Sequence, residues 1–494
     1  MPVRTIWRKT CHFNVPTELR SRLSNLAALT YRIMDSPTRK LLFKPGDLVA
    51  VAQPWIYVSL PKFLDTACYH CLCTPDKELK RCSQCHFARY CSESCQKLDW
   101  KPRHKDECPL LQELTRLNGD ILKTHCPEFA YWLLIMKVVA KLKKRRQDDL
   151  ETYHKFHSNP EAAALDPIAQ SNFKEWSPGF DYIDPGVKLY LRPALFFDVY
   201  SKVKFNAKII VGTQKDGSCA AEGLALYTPG VPEAVVGCNR NVVYYSRDNK
   251  LFVKATRNIY QGDKVVSSIG SPFTTPKQRA ATYAKVYAEC SCEACTDPSK
   301  EAERNAFKCG TVGCANAVPL DGRCRDPCEE CGRMNNDRME EAKYCVASIL
   351  KKADSFHTVH TMSENDVSKL SLMIQHAAKI LHPTNFTLGL LYKLAVKTVL
   401  SVNFGIDDTA LQWIEKMLLP MELHTDGYLE EIAQNLHHVC LRYAGAGNRE
   451  MVEKYQPKYR RIVETVYGED SDEMKILRLN ELMTTCNLNA ALSR

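Results

Sequence analysis

The chain of 494 residues is 45% hydrophobic and 25% charged, ordinary globular usage and enough sequence for three or four cores. That composition excludes extensive disorder, and a net charge of +10 is too mild at this size to demand a nucleic-acid partner. Twenty-three cysteines would mean disulfides in a small secreted chain. Here most fall at metal-ligand spacings and Met1-Pro2-Val3-Arg4 opens no apolar signal segment, so a reducing compartment, nucleus and/or cytoplasm, is expected.

Residues 1–27 carry few signals and read as a short arm or helix. From Leu41 to Tyr57 two β-rich segments flank Pro45-Gly46-Asp47, which predicts a hairpin about that turn. Then comes the pattern C-x2-C-x10-C-x2-C-x5-C-x3-C-x8-H-x3-C, made by Cys68, Cys71, Cys82, Cys85, Cys91, Cys95, His104 and Cys108. Eight soft ligands grouped as close pairs are what two tetrahedral zinc ions require, and so short and polar a segment cannot hold itself folded without them. The spacing fixes the ligands more firmly than their pairing. Overlap of close and distant pairs suggests a cross-brace, with Cys68, Cys71, Cys91 and Cys95 on one ion and Cys82, Cys85, His104 and Cys108 on the other. Sites with four protein ligands have no open position, so this module is structural and presents a surface to another protein.

Residues 109–200 read as helical, with a loop expected over the polar stretch Asn159 to Ser177. The most apolar run, Phe129 to Ala140, is too short to span a bilayer and contains Lys137. Lys141, Lys143, Lys144, Arg145 and Arg146 follow, and read as cations closing a helix and facing solvent rather than as a DNA contact. Farther on, Cys309-x4-Cys314, Cys324 and Cys328-x2-Cys331-Gly332 read as a candidate zinc ribbon. Four of these five cysteines suffice, and the spacing favours Cys309, Cys314, Cys328 and Cys331. Beyond residue 336, apolar residues at helical spacing, broken at Gly445 to Asn448 and Gly468-Glu469-Asp470, predict paired amphipathic helices stacked as a solenoid.

Lys80-Arg81-Cys82-Ser83-Gln84-Cys85, Tyr90-Cys91-Ser92, Cys95-Gln96, Trp100 and His104 resemble a MYND zinc finger, and the flanks resemble the SMYD family, in which such a finger interrupts a SET methyltransferase domain. The resemblance implies an α+β multi-domain fold. Its parts are SET segments at 28–67 and 201–275, the finger at 68–108, a helical insert at 109–200, a post-SET zinc segment at 276–298, the ribbon at 299–335, and a helical TPR-like domain at 336–494. It also implies that Cys238, Cys290, Cys292 and Cys295 form a further zinc site, giving three to four ions per chain.

At the active centre the chain departs from the family pattern. Asp35 to Lys40 holds no glycine where a Gly-x-Gly turn should approach S-adenosylmethionine. Val235 and Val236 stand in place of the Asn and His that bind this donor, and valine offers no hydrogen bond. Ile269 stands in place of the catalytic tyrosine, and Ala288 in place of a phenylalanine, whereas Asn206 matches a retained donor contact. Methyl transfer to a lysine needs a bound donor, a neutral amine and in-line alignment. The residues that differ would supply these, while those retained serve folding. The expected function is a regulator of transcription or chromatin that binds proteins, with weak or lost methyltransferase activity. The alternative is a working S-adenosylmethionine-dependent protein (histone) lysine methyltransferase. The partners implied are proline-containing peptides at the finger, proteins at the helical domain, and histones, with no membrane.

Overall fold

The computed structural model describes residues 39–117, 127–144, 146–183, 193–213, 219–228, 235–320, 327–355, 363–403, 407–469, 471, 473–479 and 481–482. Asp35 to Thr38 of the glycine-free segment, Arg145 of the basic run and Cys324 lie outside them.

Strands β1 (Leu41–Phe43) and β2 (Leu48–Ala52) flank the Pro45-Gly46-Asp47 turn, which is present: Gly46 has φ of 92° and Asp47 N–H reaches Lys44 O at 3.0 Å. The hairpin expected there does not form. β1 pairs with β13 (Ile259–Tyr260), while β2 pairs with β12 (Lys250–Ala255). The turn thus redirects the chain between two sheets, because the partners of both strands come from much later sequence.

Strand β3 (Pro54–Ser59) leads into the cysteine-rich segment, where β4 (Cys73–Thr74), β5 (Lys80–Arg81) and β6 (Arg89–Tyr90) precede helix α1 (Glu93–Asp99). A wider π-helical turn, Trp100–His104, joins α1 to α2 (Lys105–Leu117) and carries His104 inward. Such turns recur at functional sites because the extra residue re-aims a side chain.

The helical layer comprises α3 (Pro127–Leu142), α4 (Gln147–His154), α5 (Pro160–Leu165), α6 (Pro167–Ile183) and α7 (Pro193–Asn206). The loop expected at Asn159 to Ser177 is therefore two helices. Asn159 caps α5 by accepting the Ala162 N–H, Pro160 sits where its missing N–H costs nothing, and Asp166 accepts from Ile168 ahead of α6. The start signals are present, but the polar composition hid them. The basic run is also less free than expected: Arg146 pairs with Asp106 at 2.8 Å and Lys141 with Asp149 at 3.4 Å.

Strands β7 (Lys208–Val211), β8 (Cys219–Ala220) and β9 (Glu222–Tyr227) return the chain to β3, giving the antiparallel order β3-β9-β7. Gly223 is needed there, since a Cβ would lie 2.1 Å from Val58 O. Strands β10 (Val235–Val236), β11 (Val242–Arg247), β12, β13 and β14 (Val266–Ser267) complete the β region, with β11-β12-β2 as a second antiparallel sheet.

Helices α8 (Pro276–Ala284), α9 (Glu293–Thr296) and α10 (Pro298–Arg304) lead to strands β15 (Phe307–Lys308) and β16 (Ala317–Val318). The expected helical region follows as α11 (Asn336–Ser355), α12 (Glu364–Ile380), α13 (Phe386–Asn403), α14 (Asp408–His424), α15 (Glu430–Gly445) and α16 (Arg449–Val466). The finger, α3 to α7 and the sheet of β3 share one apolar core, and α11 to α16 build another. Arg240, buried between Asp426 (2.7 Å) and Glu430 (2.9 Å), ties the loop before β11 to the start of α15, and Lys393 of α13 bonds Glu431 and Phe273 O at 2.8 Å each.

Candidate functional site

Among the described residues, four groups of side chains bring four ligand atoms to within 4.8 Å of one another: Cys68, Cys71, Cys91 and Cys95; Cys82, Cys85, His104 and Cys108; Cys238, Cys290, Cys292 and Cys295; Cys309, Cys314, Cys328 and Cys331. Each could hold a metal ion. A tetrahedral zinc–thiolate site with bonds near 2.3 Å has sulfur–sulfur edges of about 3.8 Å. In the first group Cys71, Cys91 and Cys95 are 3.5 to 3.8 Å apart, and in the second Cys82 lies 3.9 Å from Cys108 and Cys85 3.7 Å from His104 Nε2. The pairing is the cross-brace that the spacing suggested.

The backbone explains how each Cys-x2-Cys converges. Leu72 N–H bonds Cys68 O at 2.9 Å and His86 N–H bonds Cys82 O at 3.0 Å, each with φ of 55°. A non-glycine residue enters that left-handed region only where its surroundings over-determine it, and a shared metal does so. Sequence reasoning passed over Cys73, whose Sγ is 3.3 Å from Cys71 Sγ. It belongs to no ligand pair, so spacing gave no signal for it.

Behind the finger lies a buried polar network that sequence reasoning also missed. Arg103 bonds Asp99 and Tyr69 O at 2.6 Å each, with its guanidinium 3.9 Å from the Tyr57 ring centroid. Asp99 accepts from Tyr90 at 2.8 Å, and Glu107 accepts from Tyr69 at 2.7 Å. Lys137, from the middle of α3, reaches Glu107 at 3.2 Å and Tyr57 O at 3.0 Å. Burial would push the Asp99 carboxyl up, but the Arg103 guanidinium with the bonds from His70 and Tyr90 hold it well below the usual carboxylate range. Burial drives Lys137 down to about 8 against the pull of Glu107. The finger is thereby packed against β3 and α3 rather than hung on a linker.

The third group closes the β region. Strand β10 runs parallel to β14, with Val235 opposite Val266 and Val236 opposite Ser267. Gly237 N–H bonds Ser267 O at 2.8 Å, and the Asn241 side chain accepts from Val266 N–H (2.7 Å) and donates to Lys264 O (2.9 Å). This threading delivers Cys238 to Cys290 (3.7 Å) and Cys295 (3.3 Å). Hydrogen bonding with Cys292 and burial push the Cys238 thiol up, and the nearby cation of Arg279, itself 3% exposed, pulls the other way; the Arg279 Nε finds no hydrogen-bond partner among the described residues. A buried cation beside four thiolates fits a metal centre of net negative charge and would be poorly placed beside four neutral thiols.

Among the described residues, those expected around the methyl donor do not form a comparable polar set. Asn206, at the end of α7, donates both amide hydrogens to backbone carbonyls, His157 O at 2.9 Å and Lys202 O at 2.8 Å. Arg39, which with Lys40 is the described part of the glycine-free segment, is ion-paired to Asp263. Tyr287 donates to Asp166 at 2.6 Å. The Tyr283 hydroxyl is buried beside Ser268 and the Ile269 backbone without a hydrogen bond of ordinary geometry. Next to Ser268, a cavity of about 580 Å³ opens between β11 and the helices α13 and α15, with Arg240, Lys393, Glu430 and Glu431 in its walls.

Residues 68–108 match the family model described as the MYND finger. The chain is 26% identical over 271 residues to "Histone-lysine N-methyltransferase SMYD3" of Mus musculus, covering 53% of this chain and 58% of that relative's length. It is 26% identical over 398 residues to "Histone-lysine N-methyltransferase ASHR1" of Arabidopsis thaliana, covering 77% and 75%. To "N-lysine methyltransferase SMYD2" of Homo sapiens it is 24% identical over 445 residues, covering 87% and 91%. No described helix is long and apolar enough to cross a membrane.

Proposed function

We propose that the chain is a member of the SMYD family, a MYND/SET-fold regulator whose main work is binding other proteins in transcription or chromatin control, with methyltransferase activity weak or lost. Zinc in the two finger sites and at Cys238, Cys290, Cys292 and Cys295 holds the scaffold. The finger binds proline-containing peptides, which suits the apolar surface that Leu98 and Trp100 expose on it. The helical domain is a second protein-binding surface, histones are among the candidate partners, and the chain works in the nucleus and/or cytoplasm.

One observation carries the reading of lost activity: Asn206, the one retained donor contact, already gives both amide hydrogens to His157 and Lys202 carbonyls. With valines at 235 and 236 the adenosyl group has lost two further polar partners. Two missing hydrogen bonds of about 1–3 kcal/mol each weaken binding by roughly 30-fold to 20,000-fold. Calorimetric titration with S-adenosylmethionine is expected to give no measurable heat, whereas titration with a proline-containing peptide gives saturable binding lost in Trp100→Ala. A micromolar dissociation constant for the donor would overturn the reading.

A working lysine methyltransferase is the second reading. It is favoured by the relatives' names and by Tyr283, a buried hydroxyl beside Ile269 where a displaced tyrosine could act. Under it, radiolabel passes from the donor to a lysine-bearing protein and Tyr283→Phe abolishes the transfer without lowering the zinc content.

A further inference from the structure

The ribbon between α10 and α11 belongs neither to the finger nor to the donor region, and the proposed function makes no use of it. We propose that Cys309, Cys314, Cys328 and Cys331 form a fourth structural zinc site, which folds this segment and pins the start of α11 to the corner between α12 and α13.

Sulfur geometry comes first. Cys309 Sγ is 3.6 Å from Cys331 Sγ and Cys314 Sγ 3.8 Å from Cys328 Sγ, close to the tetrahedral edge of about 3.8 Å and far from the ~2.05 Å of a disulfide. Four thiolates in a tetrahedron select zinc over hard cations, which prefer oxygen. The backbone makes the same knuckle as the finger: Gly332 N–H bonds Cys328 O at 2.8 Å with φ of 68°, as Leu72 and His86 do at 55°. A polar group also reaches the sulfurs, Asn316 Nδ2 donating to Cys328 Sγ at 3.3 Å. Such a contact stabilises the thiolate form that a metal requires.

Little else could fold the segment. Among its described residues it has two strands of two residues, β15 and β16, and Phe307 and Val318 as its large buried apolar side chains. Yet several distant elements depend on it. Asn335 Oδ1 accepts the Gly310 N–H at 2.8 Å, one residue before α11. Phe307 forms a bridge with Leu381, and Ala306 O accepts from Asn385 Nδ2 (2.8 Å) and His382 N–H (3.2 Å) in the α12–α13 corner.

The test is a metal count on the full purified chain together with amide exchange. Four zinc ions per chain are expected, one for each ligand group, falling to three in Cys314→Ala/Cys331→Ala. That variant loses exchange protection over 305–320, 336–345 and 378–387 while the finger, 68–108, stays protected. Cys314→His, which keeps a ligand, retains four. A wild-type count of three, or an unchanged count in the double variant, overturns the site, and loss of the ion without loss of protection at α11 overturns the pin. Should the double variant aggregate, cobalt substitution of the wild-type chain decides, four equivalents of tetrahedral thiolate absorption supporting the site and three overturning it.

Discussion

Cys82→Ser is expected to unfold the whole finger, not only the site it belongs to. A structural zinc contributes on the order of 10–16 kcal/mol to the folding of a finger peptide, as much as the entire stability of an ordinary domain. The two ligand groups alternate along the chain, Cys82 and Cys85 falling between Cys71 and Cys91 of the other group. Releasing one ion therefore frees the loop that positions half of the second. The finger's cysteines are also its core, since Cys68, Cys82, Cys85 and Cys108 are each at most 2% exposed, packed with Ala88, Tyr90 and Leu111. The expected result is loss of two zinc equivalents and of amide protection across 68–108, with α11 to α16 unaffected, because those helices pack in a separate core. Loss of a single equivalent with the first group still protected would mean that the two sites fold independently.

How much the sequence reveals depends on how local each constraint is. Metal ligation is local and chemically exclusive, so the sixteen side chains that the fold gathers into four groups could be read from spacing and resemblance, and the crossed grouping within the finger followed from overlap alone. The C-terminal helices could be read for a similar reason: their apolar stripes and breaks at Gly445 and Gly468 lie within the elements themselves. The hairpin at Gly46 failed where locality ends, because the sequence specifies the turn while the partners of β1 and β2 lie some two hundred residues away. The loop over Asn159 to Ser177 failed for a different reason, composition having outweighed the Asn159 cap and the prolines at 160 and 167. The fate of Asn206 was not legible at all. Nothing around it predicts that His157, forty-nine residues earlier, would offer a carbonyl to its amide.

Lys137 is the clearest case of a residue whose role only the tertiary structure reveals. In sequence it is the one charge in the apolar run Phe129 to Ala140; in the fold it is fully buried against Glu107 and Tyr57 O. Replacing it with methionine fills the same volume but leaves the Glu107 carboxylate buried opposite apolar carbon, and breaking a buried pair in this way costs about 3–5 kcal/mol. That loss is expected as a lower urea midpoint with unchanged slope. Adding Glu107→Gln removes the stranded charge while leaving an amide oxygen to accept from Tyr69, so the double variant is expected to recover most of the loss. Equal stability of the single and double variants would mean that the pair contributes nothing. The pH dependence follows from the same burial. Native Lys137 releases its proton near pH 8, below the 10.5 of a free lysine, so between these values the unfolded chain binds more protons. This residue's contribution makes stability rise as pH climbs from about 8 to about 10.5, and denaturant melts of Lys137→Met should lack that increment.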